Sequence, residues 1–384
     1  MLLQLAALSI LAHGISAQTW RLTQHFGGPQ FFDGFQYVEN ATDPANNFGN
    51  IRTIGESSPF RSRMTYVDSN GRAIIKVDDE TVGNPLDTEF GRNSIYLKSR
   101  EPMTFGSLIV VDLEHIPYGC SVWPGLFTQG ENWPEGGELD LIEGVNLQPR
   151  NQYALHTDPD HRCRHTATGE QQTGTTTFAE CTADGIDNRG CTVQEASPRS
   201  FGSSFAGGAY ALAWDEQGIR MWFFERGTLP TGIDNDPDPS QWPTPSAFYP
   251  ASGCDPRTAF GPQVLTIAIN ICGKWALPAF GETCGSVASQ CVDMVRDPAN
   301  YRNAYWEINY ISIYTSSSSS ATPTNTSSTS GPRNTGSAAS DSTPNEPQND
   351  GNNAGVSLNE VRLWRYMMTV ASLALVPTIA AGLL

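Results

Sequence analysis

Three acidic residues stand close together in an otherwise apolar stretch of the sequence. Glu138, Asp140 and Glu143 belong to the run Gly-Glu-Leu-Asp-Leu-Ile-Glu-Gly-Val-Asn at positions 137–146. Ionised carboxylates are costly to place in a half-buried strand, so three of them indicate a purpose. Hydrolysis of a glycosidic bond needs one carboxylate that attacks or stabilises the sugar cation and one carboxylic acid that protonates the leaving oxygen. A solvated acidic edge of a sheet is the alternative interpretation.

The spacing of the three acids predicts how a strand must present them. Side chains alternate along a strand, so Glu138 and Asp140 share a face, whereas Glu143 has the opposite parity. One extra residue in a β-bulge reverses the parity and returns Glu143 to the face of Glu138. The two glutamate Cα atoms would still lie roughly 13 Å apart. A retaining glycosidase needs its carboxyl groups about 5–5.5 Å apart, so the strand must curve or the side chains must lean together.

The run Glu-Leu-Asp-Leu-Ile-Glu matches the Glu-x-Asp-x-x-Glu signature of glycoside hydrolase family 16. The sequence most resembles the fungal endo-1,3(4)-β-glucanases, or laminarinases, of that family, over about residues 20–315. Several further segments fall in the order that the resemblance implies: Trp123-Pro124 through Asn132-Trp133-Pro134, then Leu155-His156-Thr157, Tyr210–Trp214, Trp222–Gly227, Cys272–Ala276 and Ala304–Glu307. The ordered set is more specific than the acids alone.

The resemblance implies a role for each acid. Glu138 would be the nucleophile, and Glu143 would protonate the departing oxygen and then deprotonate water. Asp140 would hydrogen-bond Glu138, so that the acids titrate as a coupled group.

Tryptophans are candidates for holding the sugar, because pyranose rings have apolar faces that lie well on indole. Trp133, five residues before Glu138, is the leading candidate. Trp123 and Trp275 are weaker candidates, because a tryptophan in a β-sandwich more often belongs to the core. In the family, a histidine in the setting of His156 lies beside the cleft; a structural histidine is the equally weighted alternative.

Short β-like runs separated by turns extend over residues 18–315. The clearest runs are Ile109–Val111, Ala209–Trp214, Ile219–Phe224, Val264–Ile271 and Trp306–Tyr314, all rich in β-branched and aromatic residues. No long segment keeps a 3.6-residue apolar period, so we predict an all-β sandwich or barrel. The resemblance narrows this to a β-jelly-roll sandwich with a concave substrate cleft.

Eight cysteines follow the amino-terminal apolar run. An even number in a secreted chain predicts up to four disulfides, of which Cys181–Cys191 is the nearest-neighbour guess. Cys284 and Cys291 lack the partners of a zinc site, so we expect disulfides and no bound metal there. We expect no cofactor; a structural calcium ion is compatible with the fold, but no loop shows a reliable ligand pattern.

Both ends of the chain differ from the middle. Residues 1–17 are an apolar run closing on Ser16 and Ala17, which predicts a signal peptide, with a buried first strand as the alternative. Residues 316–355 are rich in Ser, Thr, Pro, Asn and Gly and predict a disordered stalk.

The last part, residues 356–384, is a polar spacer followed by an apolar tail. After the small residues at 353–355, this pattern is typical of a GPI-attachment signal, with the anchor on Asn353 or a close neighbour. A tail-anchored transmembrane helix is the alternative. Asn40 and Asn325 head N-glycosylation sequons.

The net charge of −17 argues against nucleic acid or anionic lipid as a partner and suits a neutral polymer. We expect a monomeric, extracellular, cell-surface enzyme that meets the membrane through a lipid anchor only. The predicted reaction is retaining endo-hydrolysis of β-1,3 or mixed β-1,3/1,4 glucans. A cell-wall glucan transglycosylase and a non-catalytic glucan-binding lectin remain the alternatives.

Overall fold

Extended strands make up most of the regular structure, as the short apolar runs predict. The computed structural model describes residues 19–39, 47–84, 86–87, 90–185 and 187–316. Within these residues the strands are β1 Trp20–Gly27, β2 Phe35–Tyr37, β3 Ile51–Thr53, β4 Thr65–Val67, β5 Ala73–Lys76, β6 Arg92–Ser94, β7 Tyr96–Ser99, β8 Ser107–His115, β9 Val122–Gln129, β10 Glu138–Glu143, β11 Gln152–His156, β12 Thr175–Phe178, β13 Cys191–Gln194, β14 Gly208–Asp215, β15 Gly218–Glu225, β16 Ala247–Pro250, β17 Val264–Ile271 and β18 Tyr305–Ser316.

Helices in the described residues are short and lie between strands. The α-helices are α1 Arg61–Met64, α2 Gly273–Ala276 and α3 Phe280–Thr283. Single 3₁₀ segments span Gly28–Gly34, Pro159–His161, Gly202–Ser204, Arg226–Thr228, Pro239–Gln241, Cys291–Met294 and Pro298–Tyr301. None of the helices in the described part of the chain has the length and hydropathy of a membrane span.

Two large antiparallel sheets form the sandwich. The first, the cleft sheet, has the order β12-β13-β11-β10-β9-β17-β7-β2. The second, the back sheet, has the order β16-β15-β14-β8-β18-β5-β4, and β1 also pairs with β18. A small parallel pair, β3 with β6, lies apart from both. The prediction of an all-β sandwich is confirmed.

The core lies between the two sheets. Leu139 and Leu155 of the cleft sheet share one buried cluster with Ile109, Leu212 and Ile311 of the back sheet. Strand β8 is buried on both faces, because its alternate residues belong to a second apolar cluster on the outer side of the back sheet. This explains why β8 reads as a continuous apolar run rather than an alternating one. Trp214, Trp222 and Trp306 are buried and belong to these two clusters.

A tight turn joins two neighbouring strands of the back sheet. Asp215 pairs with Gly218, which leaves a two-residue turn between β14 and β15. Gly218 has φ 129°, and a Cβ at this position would overlap the carbonyl oxygen of Tyr249 on β16. Glycine is therefore required at the point where β15 begins.

All eight cysteines form disulfides. The bonds are Cys120–Cys284, Cys163–Cys254, Cys181–Cys191 and Cys272–Cys291. The nearest-neighbour prediction of Cys181–Cys191 is confirmed. Cys284 and Cys291 are both disulfide-bonded, as expected, and each pairs with a cysteine that lies earlier in the chain.

Several predicted features lie outside the described residues. These are the signal peptide at 1–17, nearly all of the stalk at 316–355, the anchor signal at 356–384, and the residues Asn40, Asn325 and Asn353. Strand β18 ends at Ser316, one residue into the predicted stalk.

Candidate active site

A β-bulge in β10 brings the three acids to one face of the cleft sheet. Glu138 pairs with Gln129 of β9, Asp140 with Phe127 and Glu143 with Gly125, and the register shifts between Asp140 and Ile142. The three partners are alternate residues of β9, so their side chains point to one face of the sheet. The three acids, each paired with one of them, therefore point to that face too. The bulge that the spacing predicted is therefore present, and Leu141 is the extra residue.

A cleft of about 890 Å³ runs over this face of the sheet. Its lining includes six of the seven residues that the sequence proposed for catalysis or sugar binding: Trp123, Trp133, Glu138, Glu143, His156 and Trp275. Asp140 is 1% exposed and lies beneath the cleft surface. The cleft also crosses several strands, with Thr177 and Phe178 of β12 at one side and Tyr96 of β7 at the other.

Glu138 is held by polar neighbours. Gln129 Nε2 donates a hydrogen bond to Glu138 Oε2 at 2.8 Å. The adjacent Asp140 has a pKa well above its usual range, because it is buried and because Glu138 is negatively charged and hydrogen-bonded to it. This shift favours the protonated form of Asp140, which can donate a hydrogen bond to Glu138. Both contacts stabilise a negative charge on Glu138.

His156 borders the same group. Its Nε2 lies 3.0 Å from Asp140 Oδ2, and its ring centroid lies 6.3 Å from that of Trp133. Its Nδ1 is buried and has no hydrogen-bond partner among the described residues. Since His156 pairs across the sheet with Glu138, the histidine lies beside the candidate nucleophile. This is the cleft position that the resemblance implies.

Glu143 lies in a distinct environment. Burial is the main cause that raises its pKa to about 8. Trp123 Nε1 donates a hydrogen bond to Glu143 Oε1 at 2.9 Å, which partly offsets this rise. Asn151 Oδ1 accepts a hydrogen bond from the backbone N–H of Glu143 at 2.9 Å. At neutral pH, Glu143 is therefore a protonated acid in a fixed position, which is the state that a general acid requires.

The three candidate tryptophans differ in what they offer. Trp133 is 37% exposed and lines the cleft, as a sugar platform must. Trp123 is only 9% exposed, and its indole N–H is already bonded to Glu143. Trp275 packs edge-on against Trp123, with ring centroids 5.9 Å apart. Trp123 therefore positions Glu143, in addition to forming part of the cleft wall.

Some residues of the site carry no signal in the sequence. Gln129 and Asn151 contact the two glutamates, but only the register of β9 and β10 and the turn after β10 reveal this.

A cation could also contact this cluster. Glu138, Asp140 and His156 each place one potential ligand atom within 4.8 Å of the other two. Glu138 and Asp140 also take part in the glycosidase chemistry, and the raised pKa of the buried Asp140 disfavours the ionised form that would bind a cation.

A β-sandwich that presents two carboxyl groups in different surroundings of one open cleft has the arrangement that glycoside hydrolysis requires. Residues 35–314 match the family described as XgeA-like, catalytic GH16 domain. The chain belongs to this family of glycoside hydrolases.

Curated relatives agree with the family. A probable glycosidase of Schizosaccharomyces pombe is 34% identical over 78% of this chain and 70% of its own length. A probable endo-1,3(4)-β-glucanase of Aspergillus fumigatus is 35% identical over 80% of this chain and 47% of its own length. The chain thus spans about half the length of the Aspergillus relative.

Solved structures show the same fold over their full length. An elongating GH family 16 β-1,3-glucosyltransferase is 34% identical with a TM-score of 0.70, over 77% of this chain and 100% of that chain. Laminarinase 16A of Phanerochaete chrysosporium, with β-glucans in donor and acceptor sites, is 32% identical with the same TM-score and coverage. The jelly-roll prediction is confirmed.

Proposed function

We propose that the protein is a retaining endo-hydrolase of β-1,3 or mixed β-1,3/1,4 glucans. The observation that carries the proposal is the bulge in β10, which places Glu138 and Glu143 on one face of an open cleft. The protonated state of Glu143 and the polar contacts of Glu138 then separate their roles. The endo-1,3(4)-β-glucanase and laminarinase relatives support the substrate class.

The first chemical step forms a glycosyl-enzyme. A carboxylate oxygen of Glu138 attacks the anomeric carbon while the bond from that carbon to the bridging oxygen breaks. Glu143 transfers its proton to the leaving oxygen. In the second step, Glu143 accepts a proton from water, whose oxygen attacks the anomeric carbon and releases Glu138. Asp140 and Gln129 stabilise Glu138, and Trp123 and Asn151 hold Glu143.

The shape of the cleft favours cleavage inside a chain. Residues from β12 to β7 line it, and these strands are six positions apart in the cleft sheet. At about 4.8 Å per strand, the cleft crosses about 29 Å of sheet. Such a length accommodates several sugar units on both sides of the acids. Trp133, with His156 beside it, is our proposed sugar platform near the point of cleavage, and Trp275 a contact further along.

A glucan transglycosylase is the second candidate. The similarity to an elongating glucosyltransferase at 34% identity favours it as much as the laminarinase similarity favours hydrolysis. The two reactions share the glycosyl-enzyme and differ in whether water or a sugar hydroxyl resolves it. The size of the products separates them, because only transfer yields chains longer than the substrate.

We also propose that the enzyme acts outside the cell, at the cell surface. The eight disulfide-bonded cysteines suit an oxidising compartment. The apolar run at 1–17 and the spacer and tail at 356–384 support secretion and a GPI anchor at Asn353. Release of the native protein from cells by a phosphatidylinositol-specific phospholipase, and loss of that release in a variant with 351–353 substituted, would test the anchor.

The activity is tested with purified protein on laminarin and lichenan. We expect reducing ends and a series of oligosaccharides early in the digestion. Glu138→Gln and Glu143→Gln should each lower the rate by about a thousandfold or more. Glu135→Gln is the matched control, because Glu135 is exposed and does not line the cleft. Glucan binding without release of reducing ends by the unmutated protein would favour the lectin alternative and contradict the proposal.

A further inference from the structure

One end of the cleft carries an aromatic and cationic pair that the chemistry above does not use. The guanidinium carbon of Arg189 lies 4.0 Å from the centroid of the Phe178 ring, and both side chains line the cleft. We propose that Phe178 and Arg189 form a distal subsite that binds the face of a neutral sugar ring. This inference rests on the proposed glucanase activity and names a residue pair that makes the enzyme prefer long chains.

The charge of the pair indicates a neutral ligand. Arg189 Nε lies 2.9 Å from Asp187 Oδ1, and Arg189 Nη2 lies 2.6 Å from Asp187 Oδ2. This two-point ion pair neutralises the guanidinium and fixes its plane. The side chain of Arg189 is still 64% exposed. A ligand in the cleft therefore meets a flat, preorganised guanidinium group whose charge is already paired. An unpaired cation at this place would instead attract an anion.

The loop that carries Arg189 is anchored to the catalytic part of the sheet. The disulfide Cys181–Cys191 closes it, and the backbone N–H of Thr157 donates to the carbonyl oxygen of Cys181 at 2.8 Å. Gly190 has φ 66°, and a Cβ there would overlap the carbonyl oxygen of Leu155 and crowd His156. The loop thus packs closely against β11, so a sugar bound at Arg189 has a fixed offset from the acids.

The offset places the pair beyond the point of cleavage. Phe178 ends β12, which is three positions from β10 in the cleft sheet. Three strand spacings correspond to about 14 Å. A trisaccharide that is cleaved at the acids has at most two sugars on either side and does not fill this position, whereas a heptasaccharide does.

The test compares substrates of two lengths on the full chain. We expect Arg189→Ala and Phe178→Ala to lower kcat/KM for laminariheptaose about fivefold, through KM, and to change kcat/KM for laminaritriose less than twofold. Arg164→Ala is the matched control, because Arg164 is a similarly exposed arginine that pairs with Glu180 and does not line the cleft. It should behave as the unmutated protein on both substrates.

A lysine variant distinguishes whether the planar shape of the Arg189 side chain or its positive charge binds the sugar. Arg189→Lys should lose as much on laminariheptaose as Arg189→Ala, because an ammonium group has no planar face. Equal losses on both substrate lengths, no loss on either, or full activity of Arg189→Lys would overturn the proposed subsite. If the unmutated protein cleaves neither substrate, it is the proposed function that fails, so the two outcomes are distinguishable.

Discussion

Trp123 donates its indole N–H to Oε1 of Glu143 at 2.9 Å, and this contact links a buried aromatic residue directly to the candidate acid. Burial alone would push the pKa of Glu143 higher than about 8, because the hydrogen bond stabilises the carboxylate form. The indole therefore keeps the acid within reach of ionisation, as the second, basic step of a retaining reaction requires.

The first prediction concerns the pH dependence that this contact sets. Glu143 acts first as an acid, so kcat/KM should fall as the pH rises through its pKa, at about 8. Trp123→Phe removes the donor, which raises the pKa of Glu143, so the alkaline limb should move to higher pH. The measurement is kcat/KM on laminarin across the pH range. Trp275→Phe is the control, because it leaves the N–H of Trp123 in place. An unchanged or lowered alkaline limb in Trp123→Phe would contradict the role.

The second prediction concerns Trp133 as a sugar platform. Its partly exposed indole borders the cleft next to His156. We expect Trp133→Ala to raise KM for laminarin about tenfold, with kcat reduced less, because the lost stacking serves bound substrate and intermediate alike. Trp133→Phe should recover part of the loss. Trp242, packed on the outer side of the back sheet, provides the control substitution Trp242→Phe. A Trp133→Ala enzyme with unaltered KM would show that the indole lines the cleft without contributing to glucan binding.

The third prediction concerns the disulfides. Cys120–Cys284 joins residues 164 positions apart, whereas Cys181–Cys191 joins residues 10 apart. Loop-closure entropy grows with the length of the loop, so loss of the longer link should lower the free energy of unfolding by about 2 kcal/mol more. Urea unfolding of the double variants Cys120→Ala/Cys284→Ala and Cys181→Ala/Cys191→Ala checks this. Equal losses, or a larger loss for the short link, would disagree with the prediction.

The common face of the acids could be predicted from sequence because side chains alternate regularly between the two faces of a strand. Glu143 had the wrong parity for the face of Glu138, and a single bulge was the smallest correction. The structure places that bulge at Leu141. The strands β14, β15 and β17 also follow their apolar runs within a residue at each end, because each is a long and mostly apolar stretch.

Other features depend on contacts between distant segments and were not predictable. Gln129 reaches Glu138 only because β9 and β10 pair in one particular register. Cys120 and Cys284 meet although 164 positions separate them, and no local spacing identifies them as partners. Trp123 was a weaker candidate for sugar contact as an aromatic residue, but its hydrogen bond to Glu143 depends on how β9 and β10 pair. Local sequence patterns thus predict the strands and which side chains share a face. The residues that hydrogen-bond the two glutamates depend on strand register, which a local pattern does not reveal.

The most direct test of the account is to trap the covalent intermediate. In a laminaribiosyl substrate with fluorine at C2 and a good leaving group, the fluorine slows both steps while the leaving group speeds the first, so the glycosyl-enzyme should accumulate. Mass spectrometry of the digested protein should then find one sugar label in the peptide that contains residues 137–146, on Glu138. A label on Glu143 or Asp140, or products of inverted anomeric configuration with no labelled protein, would contradict the assignment of the two glutamates.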